Sequence, residues 1–212
     1  MSSLEEAIAA RATAAGVLLP PVAVSRLASH ARLVLEESAR LHLTTITTPA
    51  AFLERHLGEA FEGARHIGTD RSGTLLDLGS GNGYPGIPIA VARPSLRAVL
   101  AEASHKKAEF LRRALAAAGL AGGSVLEAQV QRATDLDALA PIEVLVTRAA
   151  GRWESIVPRL ASALSPGGLV LIWAGATAAD IVRRASWRRL ELVSCDLLPG
   201  RTASNLFVLT RI

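Results

Sequence analysis

The chain contains a single cysteine, Cys195, which excludes an internal disulfide and gives no indication of a metal site. Its apolar runs are interrupted by charged residues or glycine well before the ~20 residues that cross a bilayer, so we expect no membrane span. The first residues, MSSLEEAIAA, carry acids where a signal peptide requires basic residues. These absences predict a cytoplasmic protein with no metal and no membrane partner.

Lysine is also scarce, because 21 of the 23 basic residues are arginine. Residues 1–70 hold six arginines against eight acids, a net charge of −2. Residues 71–212 hold seventeen basic residues against eleven acids, a net charge of +6. A basic second part suits a nucleic-acid partner. Abundant arginine and alanine are also typical of the codon usage of a GC-rich genome, so charge alone leaves both interpretations open.

Half of the 212 residues are hydrophobic, which is enough to bury the core of one domain with a small appendage. Apolar residues at spacings of three and four predict helices in three early segments: 3–15, 21–42 and 49–62. A turn-rich loop at 68–73, GTDRSG, follows them. We therefore predict an N-terminal helical cap over residues 1–70 and a second, larger unit over residues 71–212.

The second unit alternates short apolar runs with amphipathic ones. The pattern predicts strands at 74–78, 96–101, 124–128, 142–147 and 168–173, and helices near 85, at 104–119 and at 153–164. Such alternation implies right-handed crossovers and a parallel sheet. The last two strand-like runs, 190–198 and 205–210, are separated by too few residues for a helix. The sequence therefore predicts an α/β fold with a mostly parallel seven-stranded sheet closed by an antiparallel C-terminal hairpin.

The most informative stretch is 74–92, TLLDLGSGNGYPGIPIAVA, which predicts a buried strand, a tight glycine loop and a helix. Glycines at such a junction allow positive φ, and they let backbone amides approach a ligand closely. One template for this stretch is the dinucleotide fingerprint. Gly81, Gly83 and Gly86 fit its glycine spacing, and Glu102 follows about twenty residues later.

The other template is an acid followed by alternating glycines, which resembles motif I of the S-adenosylmethionine-dependent methyltransferases. In that family Asp77 would lie near the cationic methionine end of the cofactor, and Glu102 would take the ribose hydroxyls. A carboxylate so close to the loop repels a pyrophosphate and attracts a sulfonium and an ammonium. The terminal hairpin is likewise typical of Rossmann-like class I methyltransferases. We therefore expect S-adenosylmethionine, held in this stretch by Asp77, Gly79, Ser80, Gly81, Gly83 and Gly86.

Three segments carry a more specific resemblance: LLDLGSGNGYPGIPIAVARP, EASHKKAEFLRRA and VTRAAG. From about residue 30 onward they resemble the bacterial small-subunit ribosomal RNA guanine-N7 methyltransferases, and the PGIP sequence is the most specific part. The resemblance implies methyl transfer to N7 of a guanine in 16S ribosomal RNA, as RNA or as a small-subunit particle. It also implies that Ala133 and Thr134 contact the adenine side of the cofactor. We expect the enzyme to be a monomer.

Guanine N7 carries a lone pair and no proton, so its methylation needs no general base and depends on orientation and a dry pocket. Arg148 follows the fourth strand, at the edge where open α/β sheets place ligands. The family match assigns Arg148 to the acceptor as the catalytic residue, in contact with the cofactor as well. The alternative is an ion pair between Arg148 and an acid such as Glu102. The other expected substrate contacts are His56, Lys106 and Arg201.

Three positions depart from the family pattern, and all three are positions where we expect RNA. His42 replaces the asparagine before Leu-Thr, HLGEA at 56–60 replaces His-x-x-Asp-Ser, and Ala174 replaces the lysine of Ala-Leu-Lys-Gly. Two alternatives therefore stay open. One is a diverged enzyme that methylates a small molecule or another RNA, and the other is an RNA-binding module that kept the fold without turnover.

Overall fold

The computed structural model of the protein describes residues 3–148, 151–175, 177–184, 187–200 and 204–212. A seven-stranded sheet passes through its centre in the order β3-β2-β1-β4-β5-β7-β6. The strands are β1 Gly73–Leu78, β2 Leu96–Ala101, β3 Ser124–Leu126, β4 Ile142–Arg148, β5 Leu164–Gly175, β6 Leu190–Leu197 and β7 Ser204–Arg211.

Five strands are parallel and two form the closing hairpin. The parallel pairs run from β3 to β5, and β7 is antiparallel to both β5 and β6. This arrangement confirms the predicted fold class. Because β1 and β4 are parallel neighbours, their last residues, Leu78 and Arg148, lie at the same edge of the sheet. The sequence placed its candidate site at this edge.

Eight α-helices are described: α1 Leu4–Ala14, α2 Pro21–Leu41, α3 Pro49–Phe52, α4 Glu59–Ala64, α5 Gly86–Ala92, α6 His105–Ala117, α7 Trp153–Leu160 and α8 Thr177–Arg184. The short helix α8 was not predicted. The helix predicted over 153–164 ends early, because 161–163 form a 3₁₀ turn and β5 already begins at Leu164. Among the helices described, none is both long and apolar enough to cross a bilayer.

The early helices cover one face of the sheet and share a hydrophobic cluster with it. Leu27 of α2 and Phe61 of α4 are fully buried in the same cluster as Val144 of β4 and Leu171 of β5. The opposite face is packed by a second cluster that includes α7 and α8 residues. The cap is therefore packed directly on the sheet, and the boundary at residue 70 stays a prediction.

The helix predicted over 49–62 contains a π-helical segment, Leu53–Gly58, between α3 and α4. Such wide turns are often found at functional sites. Immediately after it, the indole Nε1 of Trp173 donates to the carbonyl oxygen of Glu59 at 3.0 Å. A Cβ atom at Gly63 would lie 2.3 Å from the Trp173 ring, so glycine is required for this close approach. These contacts fix the π-helical segment beside the carboxyl end of β5.

Candidate active site

The glycine loop joins β1 to α5 and turns on three glycines with positive φ. Gly79, Gly81 and Gly83 have φ values of 71°, 56° and 87°. A Cβ atom at Gly83 would lie 2.6 Å from Ile87, whereas at Gly81 the nearest atom would be 3.9 Å away. Gly83 is therefore packed inside the loop, whereas Gly81 has room beside its backbone.

Asp77, the acid of the motif, lies beneath this loop with 1% of its surface exposed. Its Oδ2 atom accepts hydrogen bonds from the Ser80 hydroxyl at 2.8 Å and from the Gly86 N–H at 3.0 Å. A Cβ atom at Gly86 would lie 2.6 Å from the same oxygen. The strand acid therefore ties both ends of the loop together. Its Oδ1 atom receives no hydrogen bond from any residue that the structure describes.

Burial dominates the electrostatics of Asp77 and raises its pKa from 3.8 to about 6. The Ser80 and Gly86 hydrogen bonds oppose this shift, the negative charge of Glu102 adds to it, and the positive charge of Arg148 opposes it. The loop thus holds a carboxylate that is poorly solvated and next to a second carboxylate. A cationic ligand stabilises such a site, so the residues present fit the methionine end of S-adenosylmethionine.

Glu102 ends the next strand and faces the other side of the loop. Its two carboxylate oxygens accept hydrogen bonds from the Gly81 N–H at 3.0 Å and the Ser104 N–H at 2.9 Å. It also lines a cleft of about 180 Å³, which we call the β2 cleft. The lining of the β2 cleft runs along the carboxyl ends of β1, β2 and β3 and comprises Leu78, Gly79, Ala101, Glu102, Ala103, Ala128, Gln129, Val130, Gly151 and Ile156.

The β2 cleft adds two residues to the candidate cofactor site, and the predicted contacts of Ala133 and Thr134 stay a prediction. Gln129 and Val130 line it, although the sequence analysis did not single them out. Ala133 and Thr134 begin the 3₁₀ turn after them and are not among the lining residues. The signal available was position alone, since Gln129 and Val130 come three and four residues after the end of β3, at the ligand edge of the sheet.

Side chains of the π-helical segment and of α4 contact the guanidinium of Arg148. Its guanidinium donates to Nδ1 of His56 at 2.9 Å, and one terminal nitrogen lies 3.4 Å from a carboxylate oxygen of Glu59. An ion pair was anticipated as the alternative for Arg148, but the acid is Glu59 and not Glu102. On the other side of the ring, Nε2 of His56 lies 2.9 Å from the Thr44 hydroxyl.

His56 is 4% exposed, and both of its ring nitrogens have partners. Because Nδ1 accepts from a guanidinium, the imidazole is neutral and carries its proton on Nε2. Burial lowers its pKa to about 3, and the charge of Arg148 adds to the effect. In this conformation His56 positions Arg148. Its predicted direct contact with the substrate stays a prediction.

A buried aromatic stack connects this arginine to the glycine loop. The rings of His30 and His56 both stack on the ring of Tyr84, with centroid distances of 4.5 Å and 4.9 Å. Nε2 of His30 donates to the carbonyl oxygen of Asn82 at 3.0 Å, and Phe52 packs edge-on against Tyr84. Burial lowers the pKa of His30 to about 4. The cap thus contacts both the cofactor loop and Arg148.

A second cavity, of about 150 Å³, opens at the carboxyl ends of β4 and β5, and we call it the β5 cavity. Its lining comprises Arg55, Glu59, Arg148, Trp173, Ala174, Gly175, Leu198 and Ser204. Ala174, where the family pattern has lysine, lies in this lining. The β5 cavity and the β2 cleft share no lining residue but border the same edge of the sheet.

Two further residues, Lys106 and Arg201, were predicted to contact the substrate. Lys106 is exposed on the first turn of α6, which follows the Glu102 end of β2. Arg201 lies outside the described residues.

Ligand atoms of His105, Glu109 and Glu127 come within 4.8 Å of one another, but all three side chains are exposed. Arg112 pairs with both carboxylates of this group, so we assign no metal to it.

Comparison with known proteins identifies the family. The family model described as rRNA small subunit methyltransferase G matches residues 23–191. Two curated relatives carry the name ribosomal RNA small subunit methyltransferase G. The protein of Sorangium cellulosum is 33% identical over 86% of this chain and 77% of its own length. The protein of Myxococcus xanthus is 32% identical over 90% of this chain and 88% of its own length.

Solved structures agree on the fold. A ribosomal protein L11 methylase from Lactobacillus delbrueckii subsp. bulgaricus matches with a TM-score of 0.61 and 14% identity over 74% of this chain and 78% of that one. TrmN from Thermus thermophilus matches with a TM-score of 0.59 and 18% identity over 72% of this chain and 49% of that one. The relatives confirm the resemblance and the cofactor that the sequence predicted. The chain belongs to the rRNA small subunit methyltransferase G family and is an S-adenosylmethionine-dependent methyltransferase.

Proposed function

We propose that the protein methylates N7 of a guanine in 16S ribosomal RNA, with the small-subunit particle as the substrate. The observation that carries the proposal is the position of Arg148. This arginine ends β4, next to the strand that leads into the glycine loop, and it lines the β5 cavity together with Arg55, at the sheet edge where this fold places ligands. The names of the relatives, which specify ribosomal RNA of the small subunit, support the same acceptor.

The cofactor supplies an electrophilic methyl group, and we assign its binding to the loop side of the site. Asp77 shapes the loop through Ser80 and Gly86 and keeps Oδ1 for a cationic partner. Glu102 borders the β2 cleft and takes the ribose hydroxyls. Gly79 lines the β2 cleft, and Gly81 leaves space beside its backbone. For the adenine side we add Gln129 and Val130 to the predicted pair Ala133 and Thr134.

The acceptor side has to orient a base and exclude water, because guanine N7 needs no proton removed. Arg148 does the orienting, since its planar fork of donors suits the acceptor oxygen and nitrogen of a guanine edge or a phosphate. His56 and Glu59 fix the direction of the fork. The neutral state of His56 matters here, because a protonated imidazole would repel the guanidinium.

RNA contacts outside the pocket are assigned to Lys106 and Arg201, with His56 acting through Arg148. We propose that the enzyme works as a monomer in the cytoplasm, where ribosomal particles are found, and uses no metal. The net charge of +6 over residues 71–212 fits a polyanionic substrate.

The test is transfer of labelled methyl groups from S-adenosylmethionine to small-subunit particles from a strain that lacks the modification. Mass spectrometry of the digested RNA then identifies the base. We expect one N7-methylguanine per particle. Methylation of a different RNA or of a small molecule would replace the proposed acceptor, and cofactor binding without any transfer would identify a module that kept only the fold.

A further inference from the structure

Arg55 differs from most arginines of the cap in having no acidic partner. Arg11 pairs with Glu54 and Glu62, and the other paired cap arginines also lie within 4 Å of a carboxylate: Arg32, Arg40 and Arg65. Within the described part of the chain, Arg55 makes no ion pair or hydrogen bond. Its Nε atom is buried and has no hydrogen-bond partner. A buried guanidinium N–H without a partner is unusual in a folded protein, so the environment of Arg55 calls for an explanation.

The surroundings of Arg55 define the chemistry of a ligand that would pair with it. The side chain lines the β5 cavity together with Arg148, and the described lining contains one carboxylate, that of Glu59. Glu59 lies 3.4 Å from Arg148, so its charge is offset there. The positive charge of Arg55 also acts on His56, whose pKa it helps to lower. The cavity therefore carries an excess positive charge next to the acceptor arginine, which suits an oxyanion.

The proposed reaction brings two oxyanions to this edge of the sheet: a phosphodiester of the RNA and the carboxylate of S-adenosylmethionine. The β5 cavity shares no lining residue with the β2 cleft, and Glu102 and Gly79 line the latter. The π-helical segment that carries Arg55 also carries His56, which holds Arg148. Arg55 therefore belongs to the acceptor side of the site.

We propose that Arg55 binds a backbone phosphate of the RNA acceptor in the β5 cavity, beside the nucleotide that Arg148 orients. This inference rests on the proposed RNA substrate. The two arginines then have different roles: Arg148 orients the reacting base, and Arg55 fixes the position of the RNA strand that carries this base. Phosphate contacts of this kind set register and carry affinity without reading sequence.

The test compares Arg55→Gln, Arg55→Lys and a matched control, Arg26→Gln. Arg26 is exposed on α2 and lines a cavity at the opposite edge of the sheet, so its replacement removes the same charge far from the site. Binding of each variant to small-subunit particles from a strain that lacks the modification is measured over a series of salt concentrations. S-adenosylmethionine affinity and methyl transfer are measured on the same preparations.

We expect Arg55→Gln to weaken RNA binding by about tenfold and to reduce the slope of log affinity against log salt by about 0.7–0.9, the effect of one lost phosphate contact. The KM for RNA should rise more than kcat falls, and cofactor affinity should be unchanged. Arg55→Lys should keep the slope and lose part of the affinity, because an ammonium lacks the fork. Arg26→Gln should change neither slope nor KM.

An unchanged slope in Arg55→Gln, or an equal change in Arg26→Gln, would overturn the proposal. Loss of cofactor affinity in Arg55→Gln would instead identify the cofactor carboxylate as the ligand and overturn it as well. The binding measurement does not depend on turnover. A wild-type protein that binds the RNA through Arg55 but transfers no methyl group would therefore contradict the proposed function and leave this assignment standing.

Discussion

Arg148 is the last residue of a central strand. The direction of its guanidinium is set by His56 and Glu59, which lie about ninety positions earlier in the chain. Replacing Arg148 with alanine should leave S-adenosylmethionine affinity nearly unchanged while methylation falls by about 100-fold or more, because a misplaced acceptor loses the orientation on which this chemistry depends. Arg148→Lys should recover little activity, since an ammonium does not reproduce the planar fork. Calorimetry and methyl transfer on the same preparation check both statements.

The control for this experiment is Arg159→Ala, which removes an exposed arginine from α7. Its activity should match that of the wild-type protein. If Arg148→Ala loses cofactor binding and activity in parallel, Arg148 acts on the cofactor side, and the acceptor has to be placed elsewhere.

Asp77 is the residue at which stability and function oppose each other. Its pKa in the folded chain is about 6, above the ordinary 3.8, so the folded state binds an extra proton between these pH values. The contribution of Asp77 to stability therefore falls as pH rises through this window, by about 3 kcal/mol in total. Asp77→Asn should remove this loss, so the ligand-free variant should gain stability over wild type as pH rises from 4 to 7. Urea unfolding at a series of pH values measures the difference.

The same variant should bind S-adenosylmethionine much more weakly, because an amide cannot attract the cationic end of the cofactor. Asp70→Asn, at an exposed carboxylate, provides the control and should change neither property. A stability difference between Asp77→Asn and wild type that does not vary with pH would show that the pKa of Asp77 is not raised in the folded chain.

At the scale of one element, the glycine loop depends on a single close contact. A Cβ atom at Gly86 would lie 2.6 Å from Oδ2 of Asp77, so Gly86→Ala should push α5 away from β1. Overpacking of this kind costs about 1–3 kcal/mol, and we expect that loss of stability together with weaker cofactor binding. Gly122→Ala is the matched control, because nothing lies within 4 Å of its added Cβ atom. Thermal unfolding and calorimetry of the two variants decide whether the loop geometry requires Gly86.

The elements differ in how far the sequence could predict them. The strand and loop around Asp77 are specified locally, by an apolar run followed by glycines that reach positive φ, and they were predicted correctly. The hairpin of β6 and β7 was predicted because the two runs lie too close for a helix between them. The helix α8 was missed, since its eight residues follow directly on β5 and give a short signal.

The site was harder to predict where its contacts join distant parts of the chain. The alternative considered for Arg148 was an ion pair with an acid such as Glu102, but the acid beside it is Glu59 of α4, and His56 of the π-helical segment accepts its hydrogen bond. A widened helical turn has no reliable sequence signal, so the side chains that it redirects could not be assigned. Likewise, Gln129 and Val130 belong to the β2 cleft through sheet topology and not through a motif.

Across the whole molecule, the junction between cap and sheet contains two histidines that are buried in the neutral state. Their pKa values, about 4 for His30 and about 3 for His56, lie below the ordinary 6.5. The folded state therefore binds fewer protons than the unfolded chain, and the stability that each histidine contributes is lost as pH falls below 6.5. Between pH 6.5 and pH 5 the loss should be about 2 kcal/mol for each histidine. Asp77 acts in the opposite direction over part of this range.

Urea unfolding midpoints at pH 7 and pH 5 test this expectation. His30→Asn should lower stability at both values, since it removes a stacked ring, but the drop between them should be smaller than in wild type. His105→Asn is the control, because the His105 side chain is 74% exposed. An equal drop in His30→Asn and wild type would assign the acid sensitivity to other groups.

Tyr84 is the chain's one tyrosine, and it lies between the two buried histidines, where cap and glycine loop meet. Burial raises the pKa of its phenol well above the ordinary value of 10, so the folded protein should show no tyrosinate absorption at alkaline pH values that ionise a free tyrosine. After a jump to such a pH, tyrosinate appears only as this junction separates. The rate of the ultraviolet change thus gives the opening rate of the cap in unlabelled protein, and bound cofactor should slow it.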